Sequence, residues 1–282
     1  MKIDSVDVFA SNGVNHATLS FIDPTNSYPY LVKALIGLDA DEILPVFKGG
    51  VTGKRQYDLT IPSREVVMRM GLNPSFEEDE TYSDLRDAMY RVISASPTSI
   101  VQLRLNYGGE TTAAISGLIT KYEAPVFNKT QEIQLTLDCT RDPWLKSLER
   151  ETLEVNDSPE GGVVIVDEKS TAPTGFLFNL EINEDVETLT INWGEDYTFV
   201  LSPGYLPGTF DEGFLDGDVL YFSSERNEKA LYVVRGGEEY PIADKLIFGS
   251  VWPLLYPGSN TFDTETDVTW GSFGWFYSYW GI

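Results

Sequence analysis

Short segments in which apolar and polar residues alternate recur along almost the whole chain. That period of two restricts the fold more than any other feature. In residues 100–107, Val101, Leu103, Leu105 and Tyr107 share one face; in 132–139, Ile133, Leu135, Leu137 and Cys139 do. Phe176, Phe178, Leu180 and Ile182 alternate with Leu177, Asn179 and Glu181. Side chains two apart lie on the same side of a strand, so each segment reads as a strand with one buried face. Gly108-Gly109, Gly194-Glu-Asp196 and Gly236-Gly237 punctuate the pattern. In the second part of the chain the turns recur at the roughly 8–12-residue spacing of a β-sandwich or jelly roll.

Further strands are expected at Asp4–Phe9, Ala17–Ile22, Gln56–Ile61, Glu65–Gly71, Thr112–Tyr122, Val163–Val166, Glu187–Trp193, Tyr197–Leu201, Val219–Phe222, Ala230–Val234 and Glu239–Ile242. Leu31–Leu38 suits a strand or a short helix, and Leu145–Asn156 a linker helix or an extended connection. One segment is clearly helical. Over Tyr82–Ala95, the residues Leu85, Ala88, Met89, Val92 and Ile93 recur at helical spacing. Thr81 and Asp84 resemble a capping box, the acids at 77–80 suit the positive end of the helix dipole, and Pro97 halts the helix. The fold class is therefore mainly β with one clear helix.

Charge divides the chain in two. Residues 1–150 hold 15 Lys and Arg against 20 Asp and Glu; residues 151–282 hold 5 against 24. Net charges of −5 and −19 predict two domains, 1–150 and 151–282, with different surroundings. The total of −24 argues against sequence-specific nucleic-acid binding and anionic membranes, which call for a basic face. A 42% hydrophobic, 13% aromatic composition distinguishes the chain from a disordered acidic one. No apolar run reaches the 18 or so residues of a spanning helix, so no membrane insertion is expected. No secretory signal is visible, and the single cysteine, Cys139, suits synthesis in a reducing cytoplasm.

Catalytic signatures are missing. His16, the one histidine, stands in a turn-like stretch, and Cys139 on an apolar row reads as a buried structural thiol. Gly49-Gly-Val-Thr-Gly-Lys54-Arg55 fails the phosphate-loop pattern, with Lys48 and Arg55 where Gly and Ser or Thr belong. Glu77–Glu80 reads as a solvated helix entry, and Asp211-Glu-Gly-Phe-Leu-Asp216-Gly-Asp218 as an acidic turn lacking the rhythm of a calcium loop. Asn128-Lys-Thr130 is a glycosylation sequon by pattern only. No enzyme activity, catalytic residue, metal site or cofactor is expected. The aromatic tail, Trp252–Phe262 and Trp270–Ile282, suits a core strand or a partner contact; Phe273, Trp275, Tyr277 and Tyr279 fall on one face, Phe276 and Trp280 on the other.

Three stretches carry a family resemblance. The first is Tyr57-Asp-Leu-Thr-Ile-Pro-Ser-Arg-Glu-Val-Val-Met-Arg-Met-Gly-Leu-Asn-Pro74, followed by the helix from Thr81 to Arg91. The second is Ala114-Ile-Ser-Gly-Leu-Ile-Thr-Lys-Tyr-Glu-Ala-Pro-Val-Phe127, running into Glu132–Cys139 and Asp142-Pro-Trp144. The third is Trp252-Pro-Leu-Leu-Tyr-Pro-Gly-Ser-Asn-Thr-Phe262 with the aromatic strand after it. Together they resemble the distal tail proteins of long-tailed bacteriophages (siphophages), baseplate or tail-tip components.

The resemblance implies an N-terminal, tail-tube-like, ring-forming domain and a C-terminal galectin-like β-sandwich. It implies a homo-oligomer, a hexameric ring around the DNA exit channel. The implied partners are the major tail tube protein, the tail hub protein, and receptor-binding or other peripheral tail proteins. The implied location is the virion tail tip, after synthesis in the bacterial host cytoplasm. It assigns no interface residue. A carbohydrate-binding module or adhesin acting on host-wall polysaccharide is the second reading, resting on Trp193, Trp252, Trp270, Trp275 and Trp280. A glycosidase built on a pair of acids is the third.

Overall fold

The computed structural model describes residues 3–10, 16–21, 28–39, 44–50, 53–60, 64–75, 79–93, 100–107, 110–125, 131–139, 142–157, 162–194, 197–202, 213–226, 228–247, 250 and 252–281. The Gly108-Gly109 turn, the Asn128–Thr130 sequon, Pro97, Glu77, Glu78, Val51, Thr52, Asp211, Glu212, Glu195 and Asp196 lie outside them, as does the side chain of His16. The chain divides into two compact units. One comprises Met1–Leu148 and Tyr279–Ile282, the other Glu149–Ser278.

The first unit contains β1 (Ser5–Ala10), β2 (His16–Phe21), β3 (Tyr30–Ile36), β4 (Leu44–Gly50), β5 (Gly53–Thr60), β6 (Glu65–Leu72), α1 (Tyr82–Ile93), β7 (Ile100–Tyr107), β8 (Glu110–Glu123), β9 (Glu132–Asp138) and β10 (Leu145–Lys146). Seven of these strands form a closed circuit of pairings, β1-β2-β3-β6-β9-β8-β7 and back to β1. The circuit is a barrel, and closure removes the exposed edges that a sheet of this size would otherwise carry. Strand β8 closes it, pairing with β7 from Glu110 to Leu118 and with β9 from Leu118 to Glu123. At that crossing Gly117 is required. A Cβ there would stand 2.8 Å from Cys139 Sγ and 2.9 Å from the Asp138 carbonyl.

The alternation read from sequence faces the barrel interior. Val6, Val8, Val101, Leu103, Leu105, Ile133, Leu135, Leu137 and Cys139 are all buried in one cluster. Helix α1 adds Leu85, Met89, Val92 and Ile93 to it. Ala88, expected on the apolar stripe, is exposed, because the buried face is the narrower 85/89/92/93 band. The capping box is reciprocal. The Asp84 amide donates to Thr81 Oγ1 (3.2 Å), and the Thr81 amide and hydroxyl donate to Asp84 Oδ2 (2.9 and 2.6 Å). Those bonds hold the Asp84 carboxyl below its ordinary pKa. Tyr30 Oη donates to the Leu85 carbonyl (2.7 Å), fastening the helix to β3, and burial pushes its phenol up to about 12. The buried Arg64 guanidinium donates to the Trp280 carbonyl, and Trp280 packs edge-on against Trp144 at 4.4 Å. The last residues of the chain thereby belong to the barrel unit.

Leu31–Leu38 is a strand, and Leu145–Asn156 is extended: β10, then β11 (Glu151–Asp157) of the second unit. That unit continues with β12 (Val163–Asp167), β13 (Phe176–Ile182), β14 (Leu189–Trp193), β15 (Tyr197–Leu201), β16 (Val219–Ser223), β17 (Ala230–Arg235), β18 (Glu238–Pro241), β19 (Gly258–Thr264) and β20 (Val268–Trp275), while β21 (Ser278–Tyr279) is ordered in the nine-stranded sheet with the first unit's strands. Its strands form two antiparallel sheets, ordered β11-β20-β13-β16-β17-β18 and β12-β19-β14-β15. Their inner faces share one core. Across it Phe176 meets Phe262 (ring centroids 5.1 Å apart) and Phe199 meets Phe222 edge-on (5.1 Å). Rings at such distances and angles gain about 0.5–1.5 kcal/mol beyond the area they bury.

The tail is not one strand apolar on both faces. Strand β20 ends at Trp275 and carries a bulge, with Asn179 of β13 lying between the pairs Phe178↔Phe273 and Leu180↔Trp270. The extra residue turns Trp270 and Phe273, three apart, to the same interior. Asn179 Oδ1 fills the bulge, accepting from the Ser272 amide (2.7 Å) and hydroxyl (2.9 Å). A side chain on Gly271 would collide with that amide group at 2.7 Å.

Two ion pairs, each on a buried acid, complete the second unit. Arg235 grips Asp218 through Nε (2.6 Å) and Nη2, and its Nη2 also donates to the Gly213 carbonyl (3.0 Å). Asp218 also accepts from the Leu215 amide (2.9 Å). Arg150 Nη2 donates to both oxygens of Glu225 (2.8 and 3.0 Å). Asp218 is 1% exposed, so removing its partner leaves a charge in low dielectric. Arg235→Met is expected to lower the unfolding free energy by about 3–5 kcal/mol in urea titration, with Asp218→Asn/Arg235→Met recovering part of the loss.

Candidate interaction surfaces

The residues that sequence reading had weighed for chemistry are placed elsewhere by the fold. Cys139 is 1% exposed behind Gly117, and burial pushes its thiol up to about 12. His16 stands at the start of β2. The phosphate-loop-like stretch is a hairpin, β4 pairing with β5 from Leu44↔Thr60 to Gly50↔Gly53, and among the described residues no helix follows it to aim amides at a phosphate. Asp218, the last acid of the acidic turn, is taken by Arg235, and Asp216 donates its amide to Asp185 Oδ1 (2.9 Å). Among the described residues no three His, Cys, Asp or Glu side chains come together to hold a metal ion, and no helix is long and apolar enough to cross a membrane.

Three of the five tryptophans on which saccharide recognition would rest are core residues. Trp193, Trp270 and Trp275 are at most 4% exposed. Trp252 is half-buried against Phe222 (5.1 Å) and Phe199 (6.1 Å), and Trp280 is half-buried against Trp144. The third family-like stretch also has a structural reason. Asn260, buried, accepts from the Tyr256 amide (2.8 Å) and donates to the carbonyls of Tyr256 (2.8 Å) and Gly258 (3.1 Å). One side chain thereby locks the Pro257-Gly258 turn.

What remains is surface, and it comes in three kinds. The barrel wall formed by β3, β6, β9 and β8 is polar and of mixed sign. Lys33 meets Glu132 (2.6 Å), Arg69 donates to Gln134 (3.0 Å), and Lys121 meets Glu123 (2.9 Å). Arg69, Glu123, Pro125, Glu132 and Gln134 line a cleft there of about 520 Å³. Exposed pairs of this sort add only about 0–1 kcal/mol to stability, so their arrangement matters more for what the wall can meet.

The second kind is the β4–β5 hairpin, a sheet of its own that pairs with no other described strand. A lone two-stranded hairpin is marginally stable in water.

The third is the sandwich surface, whose cations are largely occupied. Arg235 is held by Asp218, Lys169 lies over the Tyr277 ring (4.7 Å), Lys229 over Trp252 (5.2 Å), and Lys245 beside Asp244 (3.4 Å). The surface offered outward is acidic.

Sequence reading weighed Gly49–Arg55 as a phosphate loop and missed that it lies within a hairpin. The signal was present in Gly49, Gly50 and Gly53 flanking an alternating pair of segments.

No protein-family model matches the chain, and no curated protein sequence matches it. Among solved structures the fold is similar to the SPP1 Dit protein, described as a paradigm of the hub adsorption apparatus in phages that infect Gram-positive bacteria. The TM-score is 0.57 at 14% identity, and the match covers 97% of this chain and 98% of that one. A chain of the phage P2 baseplate in its activated conformation with calcium matches at a TM-score of 0.44 and 9% identity, over 100% of both chains. At these identities the likeness is one of fold.

The Cys139 thiol provides a test of the barrel closure. Its raised pKa favours the folded state below the unfolded thiol's pKa, and that contribution is lost as pH rises toward about 12. At pH 8 an aromatic disulfide reagent is expected to leave the native thiol unmodified over hours and to label it within minutes in denaturant. Prompt labelling of the native protein would contradict the burial.

Proposed function

We propose that this chain is a structural component of a phage tail tip, a distal tail protein whose copies close into a hexameric ring. The observation that carries this reading is the end-to-end character of the fold likeness. It spans both units in order and covers 97% of one chain and 98% of the other. In this reading the barrel unit forms the ring around the DNA exit channel, joined to the tail tube above and the hub below. The galectin-like sandwich stands outside, where receptor-binding or other peripheral proteins attach. The protein acts by assembly and has no enzymatic role.

Two physical features support the division of labour. The barrel unit offers a wall of mixed charge and a hairpin without a partner sheet, both suited to a neighbouring copy in a heterologous, closing contact. The sandwich carries the excess of acid, which keeps neighbouring sandwiches apart. Six copies would carry 6 × −24, a formal charge of −144. Closure must therefore rest on apolar and hydrogen-bonded contacts, and salt should assist it by screening. The saccharide reading loses three of its five tryptophans, Trp193, Trp270 and Trp275, to the core.

Mass photometry tests the proposal. A species near six times 31.5 kDa, about 189 kDa, is expected, more populated at 0.5 M than at 0.02 M salt, with a central hole in negative stain. Replacing residues 45–59 by a short Gly-Ser link should leave a folded monomer. A wild-type monomer under every salt condition and with tail partners present would overturn the reading.

A further inference from the structure

The second unit has four sheet edges, and three are guarded. Strand β11 carries Glu151 and Glu154, both exposed, and β18 reads Glu-Glu-Tyr-Pro from Glu238 to Pro241. Strand β15 is covered, since the Ile247 amide donates to the Val200 carbonyl (3.0 Å) and Ser250 Oγ accepts from the Val200 amide (3.1 Å). Charge, proline and cover are the usual means by which a sheet edge avoids pairing with another chain.

Strand β12 has none of these. It pairs with β19 along Val163↔Phe262 to Asp167↔Gly258, and among the described residues nothing pairs with its other side. Its residues Val163 to Val166 are uncharged and β-branched, and Asp167, the one acid, is 1% exposed, turned inward to accept from the Ser170 amide (2.9 Å). On the outer face Val164 and Val166 stand 51% and 50% exposed, the two most exposed large apolar side chains among the described residues of this unit. Such an edge is a template for strand addition, in which main-chain hydrogen bonds give affinity and alternate side chains give selectivity.

From this contrast we infer that β12 is a docking edge for an extended segment of a partner protein, one with alternating β-branched residues and basic flanks. The basic flanks follow from the charge of the unit. A second copy would bring another −19 to the same edge, whereas a cationic segment is drawn to it. The inference concerns the sandwich alone and is independent of ring formation.

The test uses the full chain and a fluorescently labelled peptide of alternating valine and threonine with two lysines at each end. Hydrogen exchange is followed by mass spectrometry. Binding is expected to slow exchange across residues 163–167 by about tenfold and to leave the β13–β16 pairing unchanged. A peptide of equal charge with prolines at two inner positions should give no protection. Val164→Lys/Val166→Lys should abolish binding, while Thr190→Lys/Thr198→Lys, at the other side of the same sheet, should retain it. Absence of binding, binding without protection at 163–167, or equal loss in both lysine pairs would overturn the inference. So would concentration-dependent protection of 163–167 in the chain alone, which would make a second copy the occupant.

Discussion

Closure of the barrel at Gly117 is the constraint on which the first unit depends. Strand β8 must serve two partners in succession, β7 and then β9, and the change of partner occurs where the backbone passes Cys139 and Asp138 without room for a side chain. Once that crossing is made, seven strands have no free edge, and their alternating residues have a single interior to face. Helix α1 adds a narrow apolar band, Leu85, Met89, Val92 and Ile93, to that same interior cluster. The Tyr30 hydroxyl and the capping box hold it there.

The sandwich solves a different problem. It must be stable while carrying most of the chain's negative charge. Its interior is a cluster of phenylalanine and tryptophan rings brought into register by the Asn179 bulge, and its scarce cations are used inside the unit. Arginines 150 and 235 neutralise two of the three buried acids, Glu225 and Asp218, and lysines 169 and 229 lie over aromatic rings. The acidity that remains outside is consistent with a surface that repels its own kind and selects among partners by sign.

Much of this was legible in the sequence, because burial of one strand face leaves a local record. The rows at 101–105, 133–139 and 176–182 and the Thr81–Asp84 cap are written within a few residues each. What was hidden is non-local. The bulge at Gly271–Ser272 depends on Asn179, far away in the chain, so a period of two counted from Phe273 could not show that Trp270 joins the same core. The segment 163–166 could be read as a strand, yet only the sheet order makes it an edge. Asp218 looked like part of an acidic turn until Arg235 was found against it. The interaction surfaces left the faintest trace, since a surface is defined by what fails to be covered.

The return of residues 279–282 to the barrel unit has a consequence for synthesis. The sandwich is one contiguous stretch, made between the two parts of the barrel unit. The barrel has nearly all its strands earlier but lacks the segment whose Trp280 carbonyl receives the buried Arg64 guanidinium. Until that segment emerges, the guanidinium lacks this acceptor, and the earlier-made unit is the later one finished. Completion of the barrel thus waits on residues made after the whole sandwich.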